Sequence, residues 1–112
     1  MNRDPFYLLD IYQYGQDVLE FVQGMDEVSF AADLKTQRAV IYCIAVMGEA
    51  TKKLSAELRA QHPQVPWKEI AGMRDKCVHD YRQINPARVW QVTQSSIPEL
   101  LQVIKPLLPT ED

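Results

Sequence analysis

The residues in this chain whose types and spacing could do chemistry stand together in Arg74-Asp75-Lys76-Cys77-Val78-His79-Asp80-Tyr81. Histidine is the side chain whose ordinary pKa lies near neutrality, so it can both donate and accept a proton at working pH. Arginine is a permanent cation with a planar fork that matches phosphate oxygens. A phosphate clamp beside a proton-transfer group is what cleavage of an RNA phosphodiester requires. Arg74 and His79 are the candidates for those two roles. Asp75 is the candidate for an orienting role, and Tyr81 follows two residues after His79.

The stretch reads as helix, and a straight helix does not gather these groups. At roughly 100° per residue Arg74 and Tyr81 are nearly eclipsed, whereas Arg74 and His79 are about 140° apart. Two arrangements would bring the latter pair to one phosphate. The helix unwinds before His79, or a second copy of the chain supplies its own motif across a two-fold axis. On a continuous helix Asp75, four residues before His79, could hydrogen-bond the imidazole. Singly, each residue has an ordinary explanation: Arg74 pairs with Glu69, Asp75 or Glu49, His79 is a satisfied boundary histidine near a helix end, and Tyr81 is a half-buried core aromatic. Taken together, after Trp67 and Ile70, a functional constellation explains them better.

The rest of the chain supplies the scaffold. Its 112 residues, 46% hydrophobic and 24% charged, suit one domain spanning residues 1–112 with a core that needs no staples. No apolar run approaches the roughly 18 residues of a membrane span, and Met1-Asn2-Arg3-Asp4-Pro5 lacks the pattern of a signal peptide. Cys43 and Cys77 show no metal-ligand spacing, so both read as buried, reduced thiols of a cytoplasmic protein, with no metal or cofactor expected. The net charge is −3. It is unevenly spread: residues up to Asp33 carry seven acidic side chains against Arg3 alone, and Leu34 to Lys105 is net +5. Such asymmetry permits a basic face beside an acidic one.

Helix punctuation is clear, and strand signals are absent. Asp4-Pro5 reads as a cap followed by proline at the first helical position. Tyr7, Ile11, Tyr14, Val18, Phe21 and Met25 then follow at spacings of three and four. Gly24 to Asp33 reads as a loop anchored by Val28 or Phe30. Asp33 caps a second helix with a stripe of Leu34, Ile41, Ile44, Gly48, Thr51, Leu54 and Leu58, running to His62-Pro63. That is about 28 residues, or roughly 42 Å. Gly48 at its middle suits a close helix crossing, and reads equally as a glycine that the helix simply tolerates. Pro66 opens a third helix that carries the motif and ends between Tyr81 and Ile84. Asn85-Pro86 starts a fourth with Val89, Val92, Ser96, Leu100 and Ile104, kinked or broken at Pro98. The tail from Pro109 to Asp112 is expected to be disordered. The fold expected is all-α, an up-and-down bundle of four to five helices.

Two blocks carry a resemblance. The segment from Pro66 to Tyr81 resembles the central block, and Ile44-Ala45-Val46-Met47-Gly48-Glu49-Ala50 the second-helix block, of the HepT-like (DUF86) toxins of the HEPN superfamily. Those proteins bear an Arg-x4-His-x-Tyr motif. Asp75 stands where asparagine is common in the family. The resemblance implies a homodimer with the motif in the dimer cleft, and a toxin of a bacterial toxin–antitoxin pair acting as a metal-independent endoribonuclease. Arg74 would stabilise charge on the phosphate, His79 would act as general acid or base, and Asp75 would support them. The implied partners are an RNA substrate and a minimal nucleotidyltransferase antitoxin that places AMP on Tyr81. An alternative is a non-catalytic helical binding or regulatory subunit of such a nucleotidyltransferase.

Overall fold

The computed structural model describes residues 2–80 and 82–110. Tyr81 lies outside them, as do Glu111 and Asp112 of the tail. The architecture is the expected all-α bundle, with one short two-stranded ladder added at the motif.

Helix α1 (Asp4–Phe21) and helix α3 (Leu34–Lys53) form the frame. They run antiparallel, because Asp4 at the start of α1 meets Ser55 just beyond the end of α3. Asp4 is not the cap that the Asp-Pro pair suggests: α1 begins at Asp4 itself and Arg3 precedes it without a side-chain cap. The buried Asp4 carboxylate instead accepts from the Ser55 N–H at 2.9 Å and from Ser55 Oγ at 2.6 Å. Ser55 Oγ in turn accepts from the Leu58 N–H at 3.0 Å and so caps α4 (Ala56–Gln61). This contact explains why the expected 28-residue helix is two helices. At Leu54 the backbone turns extended (φ −63°, ψ 145°), which frees the Ser55 N–H for Asp4. The 20 residues of α3 span about 30 Å.

The segment between α1 and α3 is also more ordered than the loop expected. Asp26 and Ser29 form a reciprocal capping box on α2 (Glu27–Ala31), which inserts Phe30 fully into the core. Gln37 Nε2 then donates to the carbonyls of Phe30 and Ala31, so a buried amide ties α2 to α3. Asp33 caps α3 as expected, accepting from the Thr36 N–H at 3.0 Å.

The last helix starts as read. Asn85 accepts from the Arg88 N–H at 3.2 Å, and Pro86 opens α7 (Pro86–Gln91). Pro98 does not break the helical run that α7 begins. One turn of π-helix (Val92–Ser96) leads into α8 (Ile97–Ile104), and a single 3₁₀ turn (Lys105–Leu107) closes it. The wider turn absorbs the N–H that proline lacks. It also moves the buried face on by one residue: Val92, Thr93, Ile97, Leu100 and Ile104 are buried while Ser96 is exposed. Leu34 and Phe21, expected in their helices' stripes, are 51% and 43% exposed. Gln37, Val40 and Met47 hold the inner face of α3 instead.

Candidate functional site

The motif region is built on the crossing of α3 at Gly48. A Cβ placed on Gly48 would lie 3.0 Å from the carbonyl oxygen of Ala71 and 3.5 Å from that of Ile70. A residue without a side chain lets the end of α5 (Trp67–Ala71) seat there without displacement. At Gly72 the axis breaks, and α6 (Met73–Cys77) begins. Met73 and Cys77, four apart, are buried against the bundle. Arg74, one residue on from Met73, therefore comes to the edge of α3.

The helix ends at Cys77, before the histidine. Val78 is extended (φ −130°, ψ 144°), and Val78–Asp80 (β1) pairs antiparallel with Gln83–Ile84 (β2). Val78 faces Ile84 and Asp80 faces Gln83, with an irregularity between the two pairs. The connection is fixed by one side-chain and one backbone hydrogen bond. Asp80 Oδ1 accepts from the Arg82 N–H at 2.7 Å, and the Asn85 N–H donates to the Cys77 carbonyl at 2.9 Å. Val78 and Ile84 are β-branched and suit a ladder, and the residue before Pro86 is driven to extended backbone. Of the two arrangements that could gather Arg74 and His79, unwinding before His79 is present in the single chain.

The ladder and the exposed edge of α3 enclose a groove of about 470 Å³ lined by Arg38, Ile41, Arg74, Val78, Arg82 and Ile84. Three arginines thus line one concave surface together with the aliphatic Ile41, Val78 and Ile84. No carboxylate lines it among the described residues. Arg74 is partly exposed, and its Nη1 lies 3.3 Å from Asp75 Oδ1. Asp75 is more exposed still, so water screens this pair. The bond from Asp75 to His79 that a continuous helix would allow is not made, because the helix has stopped at Cys77. His79 is exposed on β1 and makes no side-chain hydrogen bond among the described residues. Val78 lines the groove and His79, its neighbour on the strand, does not, as alternation along a strand requires.

Arg38 and Arg82 were not singled out from the sequence. Arg38 stands three residues before Ile41, a signal visible only once α6 is known to lie on that edge of α3. A second groove, of about 280 Å³, lies between α5, α6 and α8, with Glu69, Lys76 and Glu99 around Ile70, Met73 and Leu100. It holds none of the motif's Arg74, His79 or Asp75. Among the described residues no three His, Cys, Asp or Glu side chains cluster closely enough to hold a metal ion, and no helix is long and apolar enough to cross a membrane.

Residues 11–107 match the sequence profile of a family described as ribonuclease HepT-like. The chain belongs to the ribonuclease HepT-like family. The matched span holds Arg38, the Arg74–Tyr81 motif and Arg82. Relatives include "Putative RNase MJ0125" of Methanocaldococcus jannaschii, 39% identical over 84% of this chain and 81% of its own. "Putative RNase TTE0752" of Caldanaerobacter subterraneus is 40% identical over 94% of both chains. "Probable ribonuclease HepT" of Thermococcus cleftensis is 36% identical over 84% of this chain and 86% of its own. No solved structure matches the chain significantly. In HepT-like terms, the Arg-x4-His-x-Tyr motif straddles a helix end: its arginine lies on α6 and its histidine on β1.

Proposed function

We propose that this chain is an endoribonuclease that cuts RNA without a metal, as the toxin of a cytoplasmic toxin–antitoxin pair. Membership of the HepT-like family and the ribonuclease names of its relatives support the activity. The observation that carries it at the site is the groove in which the motif's Arg74 stands with two further arginines and no carboxylate. In the reaction, His79 as general base takes the proton of the ribose 2′-OH, whose oxygen attacks the adjacent phosphorus. The bond to the 5′-oxygen of the next nucleotide breaks, and a protonated histidine returns a proton to that leaving group. The products are a 2′,3′-cyclic phosphate and a 5′-hydroxyl. Arg74 stabilises the charge gathered on the phosphoryl oxygens, and Asp75 holds the Arg74 fork. The nucleophile is part of the substrate, so the barrier is lowered by alignment and charge.

His79 stands outside the groove of its own chain, and the proposal therefore includes a homodimer whose partner copy brings His79 to Arg74. Silencing is proposed to follow transfer of AMP onto Tyr81 by a minimal nucleotidyltransferase antitoxin. An added phosphate two residues from His79 repels RNA and occupies guanidinium groups. The separation of His79 from the groove also favours a second reading, a non-catalytic subunit that binds a nucleotidyltransferase and offers Tyr81 for modification.

Purified, unmodified protein is expected to cut single-stranded RNA in the presence of EDTA, and His79→Ala to lose at least about 10²-fold in rate. Full cutting by His79→Ala would reject the assignment. Tight nucleotidyltransferase binding with no cutting by the wild type would establish the subunit reading.

A further inference from the structure

Arg38 lies 36 residues before the motif and on a different helix, yet it lines the same groove as Arg74. It is exposed and makes no ion pair or hydrogen bond among the described residues. Its own helix offers no counter-charge one turn away on either side. The positions three and four residues away are Lys35, Leu34, Ile41 and Tyr42, none of them acidic. The same groove is lined by Arg74 and Arg82, also cationic, and the exposed Asp75 is already turned to Arg74. Side chains that merely repelled one another would be free to swing apart. Here their backbones are fixed, Arg38 by α3, Arg74 by the buried Met73 and Cys77, and Arg82 by the Asp80 turn. A concentration of like charge with no carboxylate lining it is a site for an anion. The cavity volume of about 470 Å³ falls in the range of roughly 300–1,000 Å³ typical of sites for whole small molecules. It therefore exceeds what one phosphate group fills. Ile41, Val78 and Ile84 give an apolar surface for the non-ionic part of the ligand.

Resting on the ribonuclease reading, we propose that Arg38 is a substrate-binding residue. It holds an RNA phosphate that flanks the scissile one at Arg74, with the intervening ribose and base over Ile41, Val78 and Ile84. The site then grips a chain of phosphodiesters, which distinguishes it from a pocket for a single terminal phosphate.

The test measures binding of a fluorescent single-stranded RNA to the full chain carrying His79→Ala, so that nothing is cut, over a series of salt concentrations. Adding Arg38→Ala is expected to weaken binding about tenfold and to lower the slope of log K against log salt by about 0.7, the value of one lost phosphate contact on a single strand. Arg38→Lys should recover most of the slope. Lys105→Ala, at the far end of the chain, serves as the control with an unchanged slope. With His79 intact, Arg38→Ala should raise KM about tenfold and leave kcat within about twofold. Thermal unfolding and mass in solution should match the parent. Binding and slope equal to the Lys105→Ala control would overturn the role of Arg38, and so would an effect accounted for by a changed oligomeric state. If the wild type does not cut RNA but Arg38→Ala still loses binding and slope, the nuclease reading fails and the phosphate subsite stands.

Discussion

Cys77 shows how one buried residue can hold the motif segment in place. It is fully buried at the last position of α6, and its carbonyl accepts from Asn85 where the ladder closes. Burial pushes its thiol up to about 11, and burial likewise pushes Cys43 to about 11, from an ordinary value near 9. The consequence for stability has a definite sign. Above pH 9 the thiols of the unfolded chain give up their protons while the folded chain keeps its own, so unfolding becomes easier. The protection is complete below pH 9 and is lost as pH rises through 11. Denaturant midpoints are therefore expected to fall from pH 9 to pH 11. Cys77→Ala, weaker at neutral pH because of the cavity it leaves, should fall less over that interval. An equal fall would show that burial of this thiol plays no part. Both thiols should also resist alkylation in the native protein at pH 8, with mass spectrometry as the check.

At the scale of elements, the crossing at Gly48 sets where the motif goes. The cost of an ordinary side chain there is decided by two opposed magnitudes. Alanine would gain roughly 1 kcal/mol of helix propensity over glycine. Its Cβ would press on the Ala71 carbonyl at 3.0 Å, and overpacking of a fixed backbone costs roughly 1–3 kcal/mol. Ala71 is the end of a short helix pinned by the buried Trp67 and Ile70. The strain should win: Gly48→Ala is expected to lose about 1 kcal/mol in chemical denaturation. Cleavage should suffer more than stability, because α6 and Arg74 move with α5. A stabilised Gly48→Ala protein would show that α5 shifts freely on α3. Ser55 works at the same scale. By capping α4 and holding Asp4 it converts an apparent single long helix into two, and fastens the start of α1 to the end of α3.

For the whole molecule the proposed dimer has a test that needs no structure of the assembly. If each site takes Arg74 from one copy and His79 from the other, Arg74→Ala and His79→Ala proteins, each inactive, should complement when mixed and allowed to exchange. Half of the dimers would be mixed, each with one intact site, so activity should return to about a quarter of the wild-type rate. No recovery despite demonstrated exchange would place both groups of a site in one chain. Net charge is of little help in finding that site. The chain is −3 overall, yet the groove between α3, α6 and the ladder is lined by three arginines. The local field comes from which helix edges are packed together.

By itself the sequence determined the helical class, the caps at Asp33 and Asn85 and the family motif from Arg74 to Tyr81. These are local or near-local properties, set by backbone propensity, capping chemistry and a short run of residue types. Tertiary structure alone decided the rest. It broke the second helix at Leu54, because a carboxylate 51 positions upstream of Ser55 competes for its N–H. It moved the last helix's buried face from Ser96 to Ile97, through a π-turn that makes room for Pro98. It ended α6 at Cys77 and parted His79 from Asp75, because pairing with Gln83 and Ile84 satisfies backbone groups that another helical turn would have satisfied. It also brought Arg38 to Arg74. No periodicity within a segment encodes that meeting, since it depends on how two segments far apart in the chain bury their apolar faces against each other.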